Sequence, residues 1–413
     1  MKKIEAMNIV LFDDSRREHL LPLTYMRPVC EIRVGIMTIR EKWEHHLGVE
    51  ASFLTEPYLS KKYPLKKAND NILINGSILP NPEIVQRIKD LKPKQALVAD
   101  EYIIAIRMMA EDIVQIQDMG AEDVRKTNKT DKSEFEHIPC KADWVKIDQP
   151  WHIFKYNEQA IKDDFGIITR KRRSAYVSRV DNRLFKKKHI FLEPGAKVKG
   201  AFINAENGPV YIGRDAEVME GAMIRGPIAL CANSKIKMGA KIYGPTTIGP
   251  YSKVGGELVE SVIFGYSNKA HEGFVGHSVI AEWCNIGADT NTSNLKNTYQ
   301  PVRLYSYPRE SFIHTEEQFV GLIMGDHSKC GINTMFNTGT VVGVNANIFG
   351  EGFQRNYVPS FAWGGKSGYK QFLFDKAVEV ATAVYNRRGK EFDATEEEIL
   401  REVFDRSEKF PKK

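Results

Sequence analysis

An aliphatic residue returns every six positions through the middle of the chain. The positions that carry this repeat are Ile212, Val218, Ile224, Leu230, Ile236, Ile242, Ile248 and Val254. A helix would repeat its apolar positions every three or four residues, and a half-buried strand every two. A period of six, with Gly, Asn, Asp or Pro nearby, is typical of a parallel β-helix in which short strands alternate with corners. The pattern therefore predicts coils of three hexapeptides, or about 18 residues each.

The repeat resumes twice after this run. One register includes Val262, Phe274, Ile280 and Ile286, with Asn268 as its exception, and a later one includes Met324, Cys330, Phe336, Val342 and Ile348. Together the runs predict a β-helix over residues 186–358 with about six coils. Residues 290–319 are polar and have no aliphatic period, so we expect a loop expelled from one corner. A functional loop and a tolerated insertion both fit this segment.

The regions on either side of the repeat have different patterns. Residues 1–185 alternate short β-rich runs, such as NIVLF and QALVAD, with helix-like stretches at 31–47 and 82–90. This alternation predicts an α/β, Rossmann-like front domain with a mostly parallel sheet. Residues 359–413 predict a helical C-terminal tail with helices at 369–385 and 395–408, the second beginning in a capping box of Thr395 and Glu398. We expect the tail to cap the open edge of the last coil and to carry no chemistry.

Composition excludes several classes of protein. The 413 residues, 42% hydrophobic and 27% charged, suit two or three globular domains. The net charge of +6 fits anionic small molecules, but the chain lacks the basic stripe of a nucleic-acid-binding protein. Five scattered cysteines argue against a disulfide framework or a zinc site. The sequence predicts neither a secretory signal nor a membrane span, so we expect a soluble, cytoplasmic protein.

Two stretches resemble segments of a known family. LLPLTYMRPVCEI, residues 20–32, is similar to the L-x-P-L-T-x-x-x-P-K-P-L segment of sugar-1-phosphate nucleotidyltransferases. NKAHEGFVGHSVIAEWCNIGADTNTSN, residues 268–294, is similar to the acetyltransferase segment K-A-G-H-x-x-Y-x-G-D followed by V-N-I-G-A-G-T-x-x-x-N. The chain therefore resembles an alternative bacterial GlmU-like family, in which a sugar nucleotidyltransferase domain precedes a hexapeptide-repeat acyltransferase. The resemblance implies a left-handed β-helix and a homotrimer.

The resemblance also implies roles for individual residues. It places His271 on the family's catalytic histidine and Ala288 on a residue that contacts acetyl-CoA, the co-substrate. The substrate-binding positions that it implies are Glu260, Phe274, Asn285 and Asn294. A histidine suits this chemistry because its unperturbed pKa, near 6.5, lets it accept a proton from the attacking amine. Backbone N–H groups or Asn side chains can stabilise the oxyanion that develops on the thioester carbonyl.

The front domain departs from the family pattern. Nucleotidyltransferases open with G-x-G-T-R, a glycine-rich loop whose backbone N–H groups hold the triphosphate, whereas this chain has FDDSRREHLLP. Arg16, Arg17 and Arg27 could bind the nucleotide phosphates instead, since guanidinium pairs bidentately with phosphate oxygens. NGS at residues 75–77 stands where the family has a Gly-Asp pair whose Asp holds Mg²⁺. Mg²⁺ is therefore possible in the front domain, but the sequence does not require it.

Three functions fit the sequence. We expect an acetyl-CoA-dependent N-acetyltransferase of an amino sugar or its phosphate, with a front domain that transfers or binds a nucleotide on a sugar 1-phosphate. One alternative is a nucleotidyltransferase whose β-helix serves only for oligomerisation, and another is a non-catalytic regulator that binds sugar nucleotides. Zinc bound by histidines among His271, His277, His314 and His327 is not favoured. Zinc needs three converging histidines, whereas His271 and His277, six residues apart, lie on successive sides of a coil and point away from each other.

Overall fold

The chain forms two compact units. The computed structural model describes residues 8–110, 112–113 and 135–407. Within these, the first unit consists of residues 8–20, 26–32 and 37–148, and the second of residues 21–25, 33–36 and 149–407. Among the described helices, none is both long enough and apolar enough to cross a membrane. The predicted domain boundaries at residues 185 and 358 stay predictions.

The first unit is built on a six-stranded mixed sheet. The strands of this unit are β1 (Asn8–Phe12), β2 (Ala51–Leu54), β3 (Asp70–Asn75), β4 (Ile78–Leu79), β5 (Gln95–Ala99), β6 (Tyr102–Met109), β7 (Glu136–Pro139) and β8 (Val145–Lys146). The main sheet has the order β2-β1-β3-β6-β5-β7, and the short β4 and β8 pair separately. Strands β1, β2 and β3 are parallel, whereas β6 runs antiparallel to both β3 and β5. The expected α/β class of the front is confirmed.

Two helices of the first unit lie within the predicted helix-like stretches and begin after capping residues, but α1 starts eight residues later than the stretch predicted at 31–47. Helix α1 (Ile39–Leu47) starts in a capping box of Thr38 and Glu41, which satisfies two backbone N–H groups of its first turn. Helix α2 (Pro82–Lys89) follows Asn81, whose side chain accepts from the Ile84 N–H. Short 3-10 turns lie at Ser15–Leu20, Val29–Glu31 and Pro57–Leu59. The first of these carries the arginines that follow β1.

The second unit contains a parallel β-helix with three faces. The first face stacks nine strands: Ile190–Leu192, Val210–Ile212, Ile228–Leu230, Thr246–Ile248, Val262–Ile263, Val279–Ile280, Leu322–Met324, Thr340–Val342 and Tyr357–Val358. The second face contains Lys197–Val198, Glu217–Val218, Lys235–Ile236, Lys253–Val254, Asn268–Lys269, Asn285–Ile286, Lys329–Cys330, Asn347–Ile348, Ala362–Gly365 and the antiparallel Gly368–Gln371. The third face contains Arg183–Phe185, Phe202–Asn204, Met223–Arg225, Lys241–Tyr243, Glu257–Val259 and Phe274–Gly276, and Asn291–Thr292 pairs with Met335–Phe336. The predicted β-helix is confirmed, with more than the six expected coils.

The six-residue repeat fills the interior of the coils. All eight residues from Ile212 to Val254 that carry it are buried, and the third run from Met324 to Ile348 is buried with them. The second run was predicted in the wrong register at its start, whereas its later members Ile280 and Ile286 lie in the core as predicted. Val275, rather than Phe274, lies in the core, and Phe274 is only half-buried. The reason is that one coil is shorter, since Ile248 pairs with Ile263 only fifteen residues later.

The shortened coil also places a lysine inside the β-helix. Val254 pairs with Lys269, so Lys269 occupies the inward position that the sequence pattern had assigned to an aliphatic residue. Its side chain is 1% exposed. The apparent exception at Asn268 is therefore a one-residue displacement of the inward register.

The polar segment 290–319 leaves the stack after Asn291–Thr292 and contains a hairpin of Arg303–Ser306 and Ser311–His314. Tyr305 stacks on Tyr357 with ring centroids 3.8 Å apart, which fixes the hairpin against a later coil. The stack continues across the insertion, because Val279–Ile280 pairs directly with Ile323 and Met324. The segment expected to form a loop therefore contains a hairpin that lies outside the stacked coils.

Four helices belong to the second unit: α3 (His152–Lys155), α4 (Asn157–Ile168), α5 (Phe374–Asn386) and α6 (Ala394–Ser407). The helical tail is confirmed, but residues 368–371 form a strand before α5 begins. The capping prediction at Thr395 is wrong, because Asp393 accepts from the Glu396 N–H at 2.9 Å and the helix starts one residue earlier.

Candidate functional site

Polar side chains meet at the carboxyl ends of β1, β2 and β3. Asp13 and Asp14 follow β1, Thr55 follows β2 and Asn75 ends β3. The Thr55 hydroxyl donates to Asp13 Oδ2 at 2.5 Å, and Asn75 Nδ2 donates to Asp14 Oδ2 at 2.9 Å. Open α/β sheets bind ligands at this edge, outside the carboxyl ends of their parallel strands. This edge is therefore the candidate site of the first unit.

Lys146, at the end of β8, adds a buried cation to this site. Its Nζ donates to Asp14 Oδ2 at 2.6 Å and lies 3.7 Å from the centroid of the Tyr102 ring. Burial lowers the pKa of Lys146, and the neighbouring Asp14 carboxylate opposes that change. Sequence reasoning missed Lys146, since 132 residues separate it from Asp14 and it belongs to no recognised motif.

The three arginines expected to bind phosphate have different surroundings. Arg17 is buried, with Nε 3.3 Å from Asp13 Oδ2 and a hydrogen bond from Nη2 to the Tyr58 hydroxyl at 2.9 Å. Arg16 is about one-third exposed, and its Nη2 lies 2.9 Å from Glu101 Oε1. Arg27 is also buried. Of the three, Arg16 is the one whose guanidinium reaches the surface.

The two aspartates do not fit a magnesium site. Asp13 Oδ1 accepts from the Val29 N–H and its Oδ2 from Thr55, while Asp14 Oδ1 accepts from the Arg16 N–H. Asp14 Oδ2 accepts from Lys146 as well, so every oxygen of the pair already has a donor. Burial raises the pKa of Asp13, with Arg17 opposing, which also disfavours a cation-binding carboxylate. No group of three or more metal-binding side chains occurs among the described residues, and we derive no step through Mg²⁺.

The β-helix unit has a cavity of about 660 Å³ between the second face and α5. Its lining includes His271, Asn285 and Ala288, three of the residues that the sequence assigns to acetyl transfer. His271 lies at the corner between the second and third faces and is exposed, and Asn285 begins the next strand of the second face. An imidazole and an amide therefore face one concave space that a small molecule can enter.

Lys269 fixes the corner that presents His271. Its buried Nζ donates to the backbone carbonyl oxygens of His271 and Glu272, the latter at 2.7 Å. Burial lowers the pKa of Lys269 to about 8, and Glu272 opposes that change. Burying a cation costs free energy unless the cation is hydrogen-bonded. The two carbonyl oxygens stabilise the Lys269 ammonium, and the same hydrogen bonds fix the backbone of the corner.

Glu260, Phe274 and Asn294 belong to a second cluster, centred on His277. Asn294 Nδ2 lies 2.9 Å from His277 Nδ1, and Glu260 Oε2 lies 3.4 Å from His277 Nε2. The imidazole stacks on Phe319, with ring centroids 5.0 Å apart, while Phe274 approaches Gly276 beside Asn294. Sequence reasoning did not assign a substrate role to His277, although the signal was present. The family motif has Asp at this position, whereas the chain has a second histidine.

Within one chain, the predicted acetyltransferase residues therefore form two groups. His271, Asn285 and Ala288 line the cavity, whereas Glu260 and Asn294 contact His277 at a different corner. The first group contains the proposed base and the co-substrate position, and the second contains polar groups suited to sugar hydroxyls.

Comparisons with known proteins relate this chain to sugar nucleotidyltransferases. Residues 9–173 match a family model described as sugar nucleotidyl transferase. A bifunctional sugar-1-phosphate nucleotidylyltransferase/acetyltransferase of Sulfurisphaera tokodaii is 31% identical over 214 residues, which are 51% of this chain and 46% of that protein. A bifunctional protein GlmU of Methanocaldococcus jannaschii is 31% identical over 131 residues, 32% of this chain and 26% of the relative. The chain thus spans less than half the length of these curated relatives.

Among solved structures, an Arabidopsis UDP-N-acetylglucosamine acyltransferase matches 50% of this chain and 77% of its own chain. The identity is 14% and the TM-score is 0.23. The β-helix is established by the strand pairing of this chain and does not rest on that structure.

Proposed function

We propose that this chain is a GlmU-like enzyme of sugar-nucleotide biosynthesis, because residues 9–173 match a sugar nucleotidyl transferase family model and the chain is similar to a bifunctional sugar-1-phosphate nucleotidylyltransferase/acetyltransferase. Its β-helix transfers the acetyl group of acetyl-CoA to the amine of an amino sugar or amino sugar phosphate. Its first unit binds a nucleotide, or transfers one to a sugar 1-phosphate. The enzyme is proposed to be cytoplasmic and to work as a homotrimer, as its resemblance to the family implies.

The observation that carries the acetyltransferase proposal is the shared cavity. His271, Asn285 and Ala288 were selected by a motif, and they line one concave space in a fold that has many corners. A shared cavity is what a common catalytic role requires, because the base must come within hydrogen-bond reach of the proton that it removes.

The reaction needs few groups. The unprotonated amine attacks the thioester carbonyl, and a C–N bond forms as the C–S bond breaks. His271 accepts the proton that the amine loses and returns it to the departing thiolate, so the products are an amide and a free thiol. Asn285 is positioned in the same cavity to donate from its amide to the oxyanion of the tetrahedral intermediate.

The acceptor sugar is assigned to the second cluster. Glu260 and Asn294 present a carboxylate and an amide beside the His277 ring, and Phe274 offers a hydrophobic surface on which a sugar ring can rest. In the proposed homotrimer, this cluster and the cavity of a neighbouring copy would complete one site. The grouping within one chain supports this arrangement, since His271 is separated from Glu260 and Asn294.

In the first unit, the nucleotide phosphates are assigned to the edge at the carboxyl ends of β1–β3. Arg16 is accessible there, and Lys146 supplies a second cation beside Asp14. Arg17 adds positive charge to this edge from a buried position beside Asp13, and Arg27, which is also buried, is assigned to the phosphates from the sequence. These cations would bind the nucleotide phosphates, which in the family are held by the glycine-rich loop.

Thiol release from acetyl-CoA tests the acetyltransferase proposal. The full chain is assayed against amino sugars and their 1-phosphates, together with His271→Ala and the matched control His314→Ala, which changes an exposed histidine of the hairpin. We expect one acceptor to release thiol and His271→Ala to lower kcat by roughly 10²–10⁴-fold, as for loss of a general base. The control should keep its activity. No turnover with any acceptor would favour a β-helix that serves only for oligomerisation.

A further inference from the structure

The end of the cavity at Asn268 gathers four cationic side chains from two sources. Lys253 and Lys329 come from strands of the second face, and Arg387 and Arg388 come from the end of α5. Among the described residues that line the cavity, none is Asp or Glu. Arg388 Nη2 donates to the neutral amide oxygen of Asn268 at 3.2 Å. The cavity lining therefore concentrates positive charge, and no carboxylate among the described lining residues neutralises it.

The arginines are held in place by an aromatic stack. Tyr385, near the end of α5, stacks on Trp283 with ring centroids 4.0 Å apart, and Trp283 stacks on Tyr266 at 4.2 Å. Trp283 and Tyr385 are buried. Since Arg387 and Arg388 follow Tyr385 by two and three residues, this docking fixes their backbone at the mouth of the cavity.

Helix termini alone do not explain the cluster. Cations at the last turn of a helix interact favourably with its dipole, which accounts for Arg387 and Arg388. It does not account for Lys253 and Lys329, which lie on separate coils and face the same space. Burial lowers the pKa of Lys253, with Arg388 adding to the effect, and lowers the pKa of Lys329 to about 8. At Lys253 the neighbouring cations therefore add to the effect of burial, whereas at Lys329 burial is the cause of the lowered pKa.

We propose that this end of the cavity binds a phosphate group of the ligand, and that the end of α5 supplies half of the phosphate-binding cations. The inference rests on the proposed acetyl transfer, because it concerns the cavity that His271 lines. It gives the tail a binding role in addition to the expected capping of the last coil. A phosphate here can belong to coenzyme A or to an amino sugar 1-phosphate, and guanidinium and ammonium groups bind either.

Calorimetric titration of the full chain distinguishes the two sources. The first pair of probes is coenzyme A and pantetheine, and the second is glucosamine 1-phosphate and glucosamine. Each is titrated into the parent protein, into Arg387→Gln/Arg388→Gln and into Lys376→Gln. Lys376 lies in the first turns of the same helix, pairs with Glu379 and does not line the cavity, so its variant controls for a change of charge on α5.

We expect the double variant to weaken binding of one phosphorylated probe by about tenfold or more, because it removes two charge-assisted contacts. Binding of the matching probe without phosphate, and all binding to Lys376→Gln, should stay within about twofold. Loss with coenzyme A assigns the phosphate to the acyl donor, and loss with glucosamine 1-phosphate assigns it to the acceptor. Equal affinity of the parent and the double variant for both phosphorylated probes would overturn the proposal, as would failure of both probes to bind the parent.

Circular dichroism shows whether the double variant keeps its fold. The proposed function and this inference can fail separately. Phosphate-dependent binding without thiol release would leave the phosphate site in place and remove the acetyltransferase reaction.

Discussion

The buried Lys269 makes the stability of the β-helix depend on alkaline pH. Burial lowers its pKa from 10.5 to about 8. Between these two pH values the unfolded chain binds more protons than the folded chain, so the free energy of unfolding rises with pH. Below pH 8 both states are protonated and this contribution is constant. At about 1.4 kcal/mol per pKa unit, the full rise is roughly 3 kcal/mol.

The substitution Lys269→Met removes this proton linkage while keeping an unbranched side chain in the coil. Denaturant unfolding of the parent and the variant, followed by circular dichroism at pH 7.5 and pH 10.5, isolates the contribution of Lys269. Tyrosines and cysteines that titrate in the same range are common to both proteins. We expect the midpoint of the parent to increase relative to that of the variant as the pH rises.

The matched control is Lys241→Met, which removes an exposed lysine from the third face. It should show the same pH dependence as the parent. Identical pH dependence in the parent and in Lys269→Met would refute the reasoning, because it would mean that the Lys269 ammonium is no more costly in the coil than in water.

Three further predictions concern single side chains. Ile242→Ala, at a position 1% exposed inside the coil, should lower the free energy of unfolding by about 2–5 kcal/mol, and a loss below about 1 kcal/mol in denaturant titration would contradict this packing. Lys146→Met should weaken nucleoside triphosphate binding by the first unit at least tenfold in calorimetry, because the cation beside Asp14 is lost; unchanged affinity would place the phosphates elsewhere. Asn294→Ala should raise the acceptor KM severalfold in the thiol-release assay and leave the acetyl-CoA KM unchanged, whereas the opposite pattern would assign this cluster to the co-substrate.

The β-helix was predictable because its interior repeats. Each hexapeptide has one inward position, as at Ile236 and Ile242. This repeat is local in the sequence, so it can be recognised before the fold is known. Prediction failed where a coil changes length, since the coil from Val254 to Lys269 has fifteen residues instead of about eighteen, and its inward position falls on Lys269 and not on Asn268. The six-residue period alone does not reveal the shorter coil. The hydrogen-bonded pairing of Val254 with Lys269 does.

The sites were predictable only where neighbours in sequence are neighbours in space. His271, Asn285 and Ala288 lie on one corner and the following coil, so a local motif found them together. Lys146 reaches Asp14 across the sheet of the first unit, and Arg388 reaches the cavity after a return along α5. Contacts of this kind depend on how separate elements pack, which composition and spacing do not encode.

Helix α5 runs back from the last coil toward the cavity, so its length must match the number of coils between them. The thirteen residues of α5 span about 20 Å at 1.5 Å per residue. On the second face, four strand steps separate Ala362–Gly365 from Asn268–Lys269, or about 19 Å at 4.8 Å each. Inserting one more coil between the cavity and the end of the stack would carry Tyr385 away from Trp283 by one such step. A relative that gains a coil there would need about three more residues in α5 to keep its arginines at the cavity.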